Sequence, residues 1–143
     1  MPSVLDSSQK RTILAVDDDP ENLHLINELL KDEYRVRLAS SGEQALQAAR
    51  QAPLPDAILL DIVMPGLDGY EVCRRLKADA ATKNIPVILL TAKVQVEDAQ
   101  LGFDAGCADY ITKPIVPPLV VARVRTHVTL KLARDFLGAQ SWM

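Results

Sequence analysis

Carboxylates, one hydroxyl and one lysine stand in this chain where their types and spacing could do chemistry. Asp17-Asp18-Asp19 follows the apolar run 12–16, Asp61 follows 56–60, Thr91 follows 86–90, and Lys113-Pro114 comes just past 108–112. Brought to one place, these groups pose a charge problem. Two carboxylates about 4 Å apart repel by about 4 kcal/mol at an effective dielectric near 20, and one lysine does not balance three aspartates. Either some carboxylates are protonated or a cation fills the gap. A set of carboxylate oxygens without His or Cys suits a hard ion, and Mg2+ in particular is held by one or two carboxylates, waters and a phosphate. The residues therefore point to Mg2+ and phosphoryl chemistry. Each also has an ordinary alternative. An aspartate run after a strand serves as turn and helix cap, the role expected of Asp19, while Thr91 could be an N-cap and Lys113 a surface lysine.

The elements that must bring them together are legible in the hydrophobic pattern. Five short β-like runs, 12–16, 34–39, 56–60, 86–90 and 108–112, alternate with segments of helical periodicity. Three of the runs are almost continuously apolar, as in strands covered on both faces. The second, Tyr34-Arg35-Val36-Arg37-Leu38, alternates and is expected at an edge. Leu23, Ile26, Leu29 and Leu30 recur at helical spacing after Asp19-Pro20, which supplies a cap and a first-turn proline. Ser40-Ser41-Gly42-Glu43 offers a capping box for a second helix through Arg50, and Asp68-Gly69 opens a third. A weaker fourth is expected over 97–105, and the fifth starts around Pro117-Pro118. Strict strand–helix alternation with strands this short implies a parallel (βα)5 sheet with right-handed crossovers. In such sheets ligands bind beyond the carboxyl ends of the strands, which is where the polar residues fall.

Composition sets the outer limits. The chain has 143 residues, 48% hydrophobic and 24% charged, enough for one domain that needs neither a disulfide framework nor a structural metal. A net charge of −3 argues against a domain devoted to gripping a phosphate backbone, so no direct nucleic-acid binding is expected. No apolar run reaches the roughly 20 residues of a membrane helix, and the first eleven residues lack the core of a signal peptide, so a soluble, cytoplasmic protein without membrane attachment is expected. Cys73 and Cys107 form no C-x-x-C pair and are expected as reduced, packed thiols. His24 and His127 lack companions for metal binding.

At this point the sequence resembles the receiver domain of two-component response regulators, over residues 11 to about 128. The resemblance is carried by Ile13-Leu14-Ala15-Val16-Asp17-Asp18, by Leu59-Leu60-Asp61-Ile62-Val63-Met64-Pro65-Gly66-Leu67-Asp68-Gly69, by Leu90-Thr91-Ala92, by Ala105-Gly106-Cys107-Ala108-Asp109-Tyr110, and by Lys113-Pro114. It implies a doubly wound five-stranded parallel sheet in the flavodoxin-like order 2-1-3-4-5. It implies that Asp61 accepts a phosphoryl group from a phosphohistidine on a histidine kinase or histidine phosphotransfer protein. Asp18, Asp61 and the backbone carbonyl of Val63 would ligate Mg2+, with Mn2+ as a substitute, and Asp17 would act through a bound water. Lys113 would pair with Asp61 and then with the phosphoryl group, to which Thr91 would donate its hydroxyl. Thr91 and Tyr110 would form the switch, although a strand tyrosine packed partly in the core is a serious competitor for Tyr110. The fourth helix, fifth strand and fifth helix would form the output face. In the family the Lys113-Pro114 peptide is usually cis.

Two other functions compete. A haloacid-dehalogenase-like phosphotransferase also uses an aspartate after its first strand, but expects an aspartate two residues on and a Thr or Val two further. Asp19 meets the first requirement, Glu21 stands at the second, and Asp61 would go unexplained. A pseudo-receiver, binding partners without phosphorylation, typically loses an acidic or lysine position, and none is missing here. A flavodoxin-like cofactor domain would want a Gly/Ser/Thr-rich phosphate loop after the first strand in place of three aspartates.

The expected layout is a tail at 1–10, the receiver at 11–128, and at 129–143 a helical extension or the start of a linker to an output domain missing from this chain. Val124, Val128, Leu132 and Phe136 form an i, i+4 stripe that could pair two copies, as an alternative to dimerisation through the output face. The competing expectation is a long last helix packed on its own domain. Arg123, Arg125, Lys131 and Arg134 against one acid, Asp135, leave residues 119–143 at about +3 and the preceding chain at about −6. A solvated helix face is expected there, in preference to a nucleic-acid stripe.

Overall fold

The computed structural model describes residues 10–92 and 95–140, the last two by backbone alone. The expected N-terminal tail, apart from Lys10, and residues 141–143 of the extension lie outside the described residues. The elements alternate throughout: β1 (Thr12–Val16), α1 (Pro20–Leu30), β2 (Arg35–Ala39), α2 (Gly42–Ala49), β3 (Ala57–Asp61), α3 (Gly69–Ala78), β4 (Val87–Thr91), α4 (Val96–Asp104), β5 (Asp109–Thr112) and α5 (Pro117–Gln140). All four strand pairings are parallel, in the order β2-β1-β3-β4-β5. The alternating strand β2 lies at the edge, as its pattern predicts. Every residue of β1, β3 and β4 is buried, because helices cover both faces of the central strands.

Two cores result. Ile13, Ala15, Leu59 and Leu90 pack under Leu23, Ile26 and Leu30 of α1 and Val120, Val124 and Val128 of α5. Leu14, Val16, Leu60 and Leu89 pack on the other face under Ala45 and Ala49 of α2 and Val72, Cys73 and Leu76 of α3, with Cys107 beside them. Burying a side chain such as Ile13 or Leu60 contributes roughly 1.5–3 kcal/mol, so sheet and helices have little stability apart. Both cysteines are buried free thiols, raised to about 11 at Cys73 and about 12 at Cys107, chiefly by burial.

The caps fall where the sequence puts them, with one shift. Asp19 accepts from the Glu21 N–H and Asp68 from the Glu71 N–H. Ser41 caps α2 by accepting from Gln44, and Gln44 Oε1 reaches back to the Ser40 N–H at 2.8 Å. The partner in that capping interaction is thus Gln44 and not Glu43, because Ser41 and not Ser40 is the N-cap. β3 and β4 each run one residue further than their apolar patterns, so Asp61 and Thr91 are the last residues of their strands. Among the described residues no helix is long and apolar enough to cross a membrane.

The last helix reconciles two expectations. α5 is continuous across position 128 to Gln140. Val120, Val124 and Val128 are buried on the sheet, Leu132 is half-buried, and Leu130, Phe136 and Leu137 are more than half exposed. The stripe that starts on the domain's own core therefore ends in solvent. Three of its four basic residues pair with acids: Arg123 with Asp109, Arg125 with Glu33, and Lys131 with Asp56 and Asp135.

Candidate functional site

Parallel strands all present their carboxyl ends at one edge, and there the singled-out residues meet. Asp17 follows β1 directly, its N–H bonded to the Ala39 carbonyl at the end of β2. Asp61 ends β3 and Thr91 ends β4. The loop after β5 is tied to β4 by a 2.7 Å bond from the Lys113 N–H to the Thr91 carbonyl, and Lys113-Pro114 is cis, as is Ala52-Pro53, which the sequence did not suggest.

One carboxylate oxygen from each of Asp17, Asp18 and Asp61 lies within 4.8 Å of the others. Asp17 and Asp61 are buried and Asp18 is exposed, so the set forms a pocket with one open side. Lys113 Nζ lies 3.1 Å from Asp17 Oδ2 and 3.2 Å from Asp61 Oδ1. The Val63 N–H also approaches Asp61 Oδ1, at 3.4 Å, and Val63 itself is exposed at the mouth of the pocket. Gly69 allows this loop to close: a Cβ there would stand 2.5 Å from the Asp61 carbonyl and 2.7 Å from the Ile62 Cα. Gly66 turns the same loop with φ of 77°.

The electrostatics follow from burial and from the imbalance of two enclosed carboxylates and one ammonium. Burial, then the Asp17 charge, push Asp61 up to about 6, against the smaller opposing pull of Lys113. Burial works against the Lys113 charge, but the bonds and charges of Asp17 and Asp61 together outweigh it and hold the ammonium above its ordinary value. The ammonium stays charged, and the pocket still carries negative charge that it does not neutralise. Hard oxygen donors, one open side and this surplus fit a small divalent cation.

Thr91 is fully buried and hydrogen-bonded to the half-buried Tyr110, whose ring packs against the α2–α3 core. Burial raises the Tyr110 phenol, and the Thr91 bond opposes the shift. Tyr110 thus both packs in the core and bonds to the last residue of β4. Asn22 was not singled out from the sequence, yet its side chain donates to Asp17 Oδ2 at 3.1 Å. An asparagine in the first turn of a helix reads locally as a capping residue, and its partner is disclosed only when that helix is docked on the sheet. His127, expected on a surface or in packing, is enclosed and lies 2.9 Å from Asp109.

Residues 13–125 match the response regulator receiver domain. A protein of Vibrio cholerae named a probable cyclic di-GMP phosphodiesterase is 47% identical over 91% of this chain, which spans 29% of that protein's length. A crystal structure of a protein assigned as a response regulator in Chloroflexus aurantiacus superposes with a TM-score of 0.79 at 39% identity, covering 84% of this chain and 98% of that one. The receiver domain of the Pseudomonas aeruginosa sensor histidine kinase PA1611, solved with magnesium coordinated in its active-site cleft, does so with a TM-score of 0.76 at 33% identity, covering 84% and 98%.

Proposed function

This chain belongs to the response regulator receiver domain family, and from that premise we propose that it accepts a phosphoryl group on Asp61 from a phosphohistidine of a histidine kinase or phosphotransfer protein. The observation that carries the proposal is Lys113 Nζ set between the buried carboxylates of Asp17 and Asp61, at 3.1 and 3.2 Å, beside the exposed carboxylate of Asp18. Asp61 Oδ2, the oxygen that neither Lys113 nor Val63 engages, attacks phosphorus. The new O–P bond forms as the P–N bond to the donor imidazole breaks, and an acyl phosphate results. Asp18, Asp61 and the Val63 carbonyl would hold Mg2+, with Asp17 acting through a water, and the ion would supply charge neutralisation at the phosphoryl oxygens. Lys113 follows the charge from the carboxylate to the phosphoryl group, and Thr91 donates its hydroxyl to a phosphoryl oxygen.

The bond between Thr91 and Tyr110 links this event to a surface. A phosphoryl oxygen drawing on the Thr91 hydroxyl competes with the phenol and resets Tyr110 against α4. Val96, Leu101 and Phe103 of α4 and Leu119 of α5 expose apolar area on that side, suited to an output domain or a second copy. Asp17 is a poor nucleophile for the dehalogenase-like alternative, because it is wholly buried and already holds three donors.

Incubation with acetyl phosphate and Mg2+, followed by intact-mass spectrometry, tests the assignment. One added phosphoryl group is expected, absent with EDTA and absent in Asp61→Asn. No addition, or equal addition in the variant, overturns it.

A further inference from the structure

Asp17 is the most enclosed carboxylate of the pocket, and the chain itself nearly saturates it. Oδ1 accepts the Asp19 N–H at 2.9 Å, while Oδ2 accepts both Lys113 Nζ and the Asn22 amide, each at 3.1 Å. A carboxylate offers about four lone-pair sites, so one remains, on Oδ1. The Asp19 bond is a local turn contact. The Lys113 ammonium is a point charge on a flexible stem, shared with Asp61. Neither restrains rotation of the carboxylate well. Asn22 differs on both counts: its planar amide sits in the first turn of α1, half-buried, on a helix anchored to the core by Leu23 and Ile26.

The geometry points to Asn22 as a positioning residue of this pocket, an inference that rests on the phosphoacceptor assignment above. By holding Oδ2 together with Lys113, Asn22 fixes the rotation of Asp17 and limits it to one outward bond from Oδ1. One bond suits contact with a cation-bound water, whereas without Asn22 the carboxylate is free to rotate toward Lys113 and loses the orientation that this contact needs. Groups that orient a metal's surroundings in this manner change affinity by about 10–100-fold when removed.

Isothermal titration of the full chain with Mg2+ alone, alongside phosphorylation by acetyl phosphate over a Mg2+ series, tests the inference. Asn22→Ala and Asn22→Ser both remove the amide, and Ala has the highest helix propensity, so the fold is expected to survive, as circular dichroism will report. Both variants are expected to bind Mg2+ about tenfold more weakly. The Mg2+ concentration that gives half-maximal phosphorylation should rise by the same factor. Asn27→Ala, on the same helix and away from the pocket, should leave Mg2+ affinity unchanged. The inference is overturned if both Asn22 variants keep the parental affinity, if Ser keeps it while Ala loses it, or if Asn27→Ala weakens it equally. A parent chain that binds no Mg2+, or takes no phosphoryl group on Asp61, removes the phosphoacceptor assignment as well. A parent that does both, with indifferent Asn22 variants, removes Asn22 alone.

Discussion

Asp61 has the burial of a core residue and the chemistry of a nucleophile, and the conflict is measurable. Its folded pKa of about 6 lies above the ordinary 3.8, so the folded chain takes up this proton before the unfolded chain does. The stability that the proton brings is fully present below about 3.8 and is lost as pH rises through about 6. At pH 8 without Mg2+ the ionised group therefore works against folding, and Asp61→Asn, which keeps the shape without the charge, should be more stable than the parent by about 1–3 kcal/mol. Urea unfolding should find that advantage at pH 8 and see most of it vanish by pH 4.5. An advantage independent of pH would mean that the buried charge is not its source. The identity of Asp61 was legible, since an acid closing an apolar strand has few ordinary uses. Its partnership with Asp17 through one shared ammonium was not, because no local pattern encodes contacts across 96 residues.

At the scale of elements, the site depends on how closely α3 can approach the end of β3. Gly69 is where they meet, and an added Cβ would collide with backbone atoms of Asp61 and Ile62 that cannot give way as a flexible side chain could. Gly69→Ala is expected to destabilise by about 3 kcal/mol and to slow phosphorylation, because relief of the clash displaces the Asp61 backbone. Gly138→Ala makes the contrast. A Cβ there meets nothing within 4 Å, so the variant should gain up to about 1 kcal/mol of helix stability and phosphorylate as the parent does. Thermal unfolding of both variants decides the point, and equal effects would contradict it. Element identity and order followed from periodicity and caps. Strand ends at Asp61 and Thr91 did not, since a polar residue ends an apolar pattern even while the backbone ladder continues through it. The choice of Gln44 over Glu43 was likewise set by where the backbone of α2 starts.

For the whole molecule, α5 is the element that carries apolar area from the core to solvent. The helix is tied to the body by Arg125–Glu33 and Lys131–Asp56, at 2.8 and 3.5 Å, and near its end exposes Phe136 and Leu137. The chain spans less than a third of the length of its Vibrio cholerae relative. Sedimentation equilibrium with and without beryllofluoride, a phosphoryl mimic, is expected to show pairing in its presence, and Phe136→Ser with Leu137→Ser should abolish pairing made through the helix. A monomer under both conditions counts against phosphorylation-driven pairing. Pairing that survives the double substitution assigns it to the α4, β5 and α5 face.

The sequence by itself determined the alternation of strands and helices, the edge position of β2, and the one rim where chemistry had to gather. Those features are written in neighbouring residues: apolar continuity, helical spacing, and polar residues placed where strands stop. Only the tertiary structure decided which oxygen of Asp17 Lys113 and Asn22 would share, that Tyr110 would bond to Thr91 while packing in the core, and where the α5 stripe would pass from core to solvent. Each of these depends on distances between elements far apart in the chain. Such distances exist only once the two cores have closed the sheet between its helices.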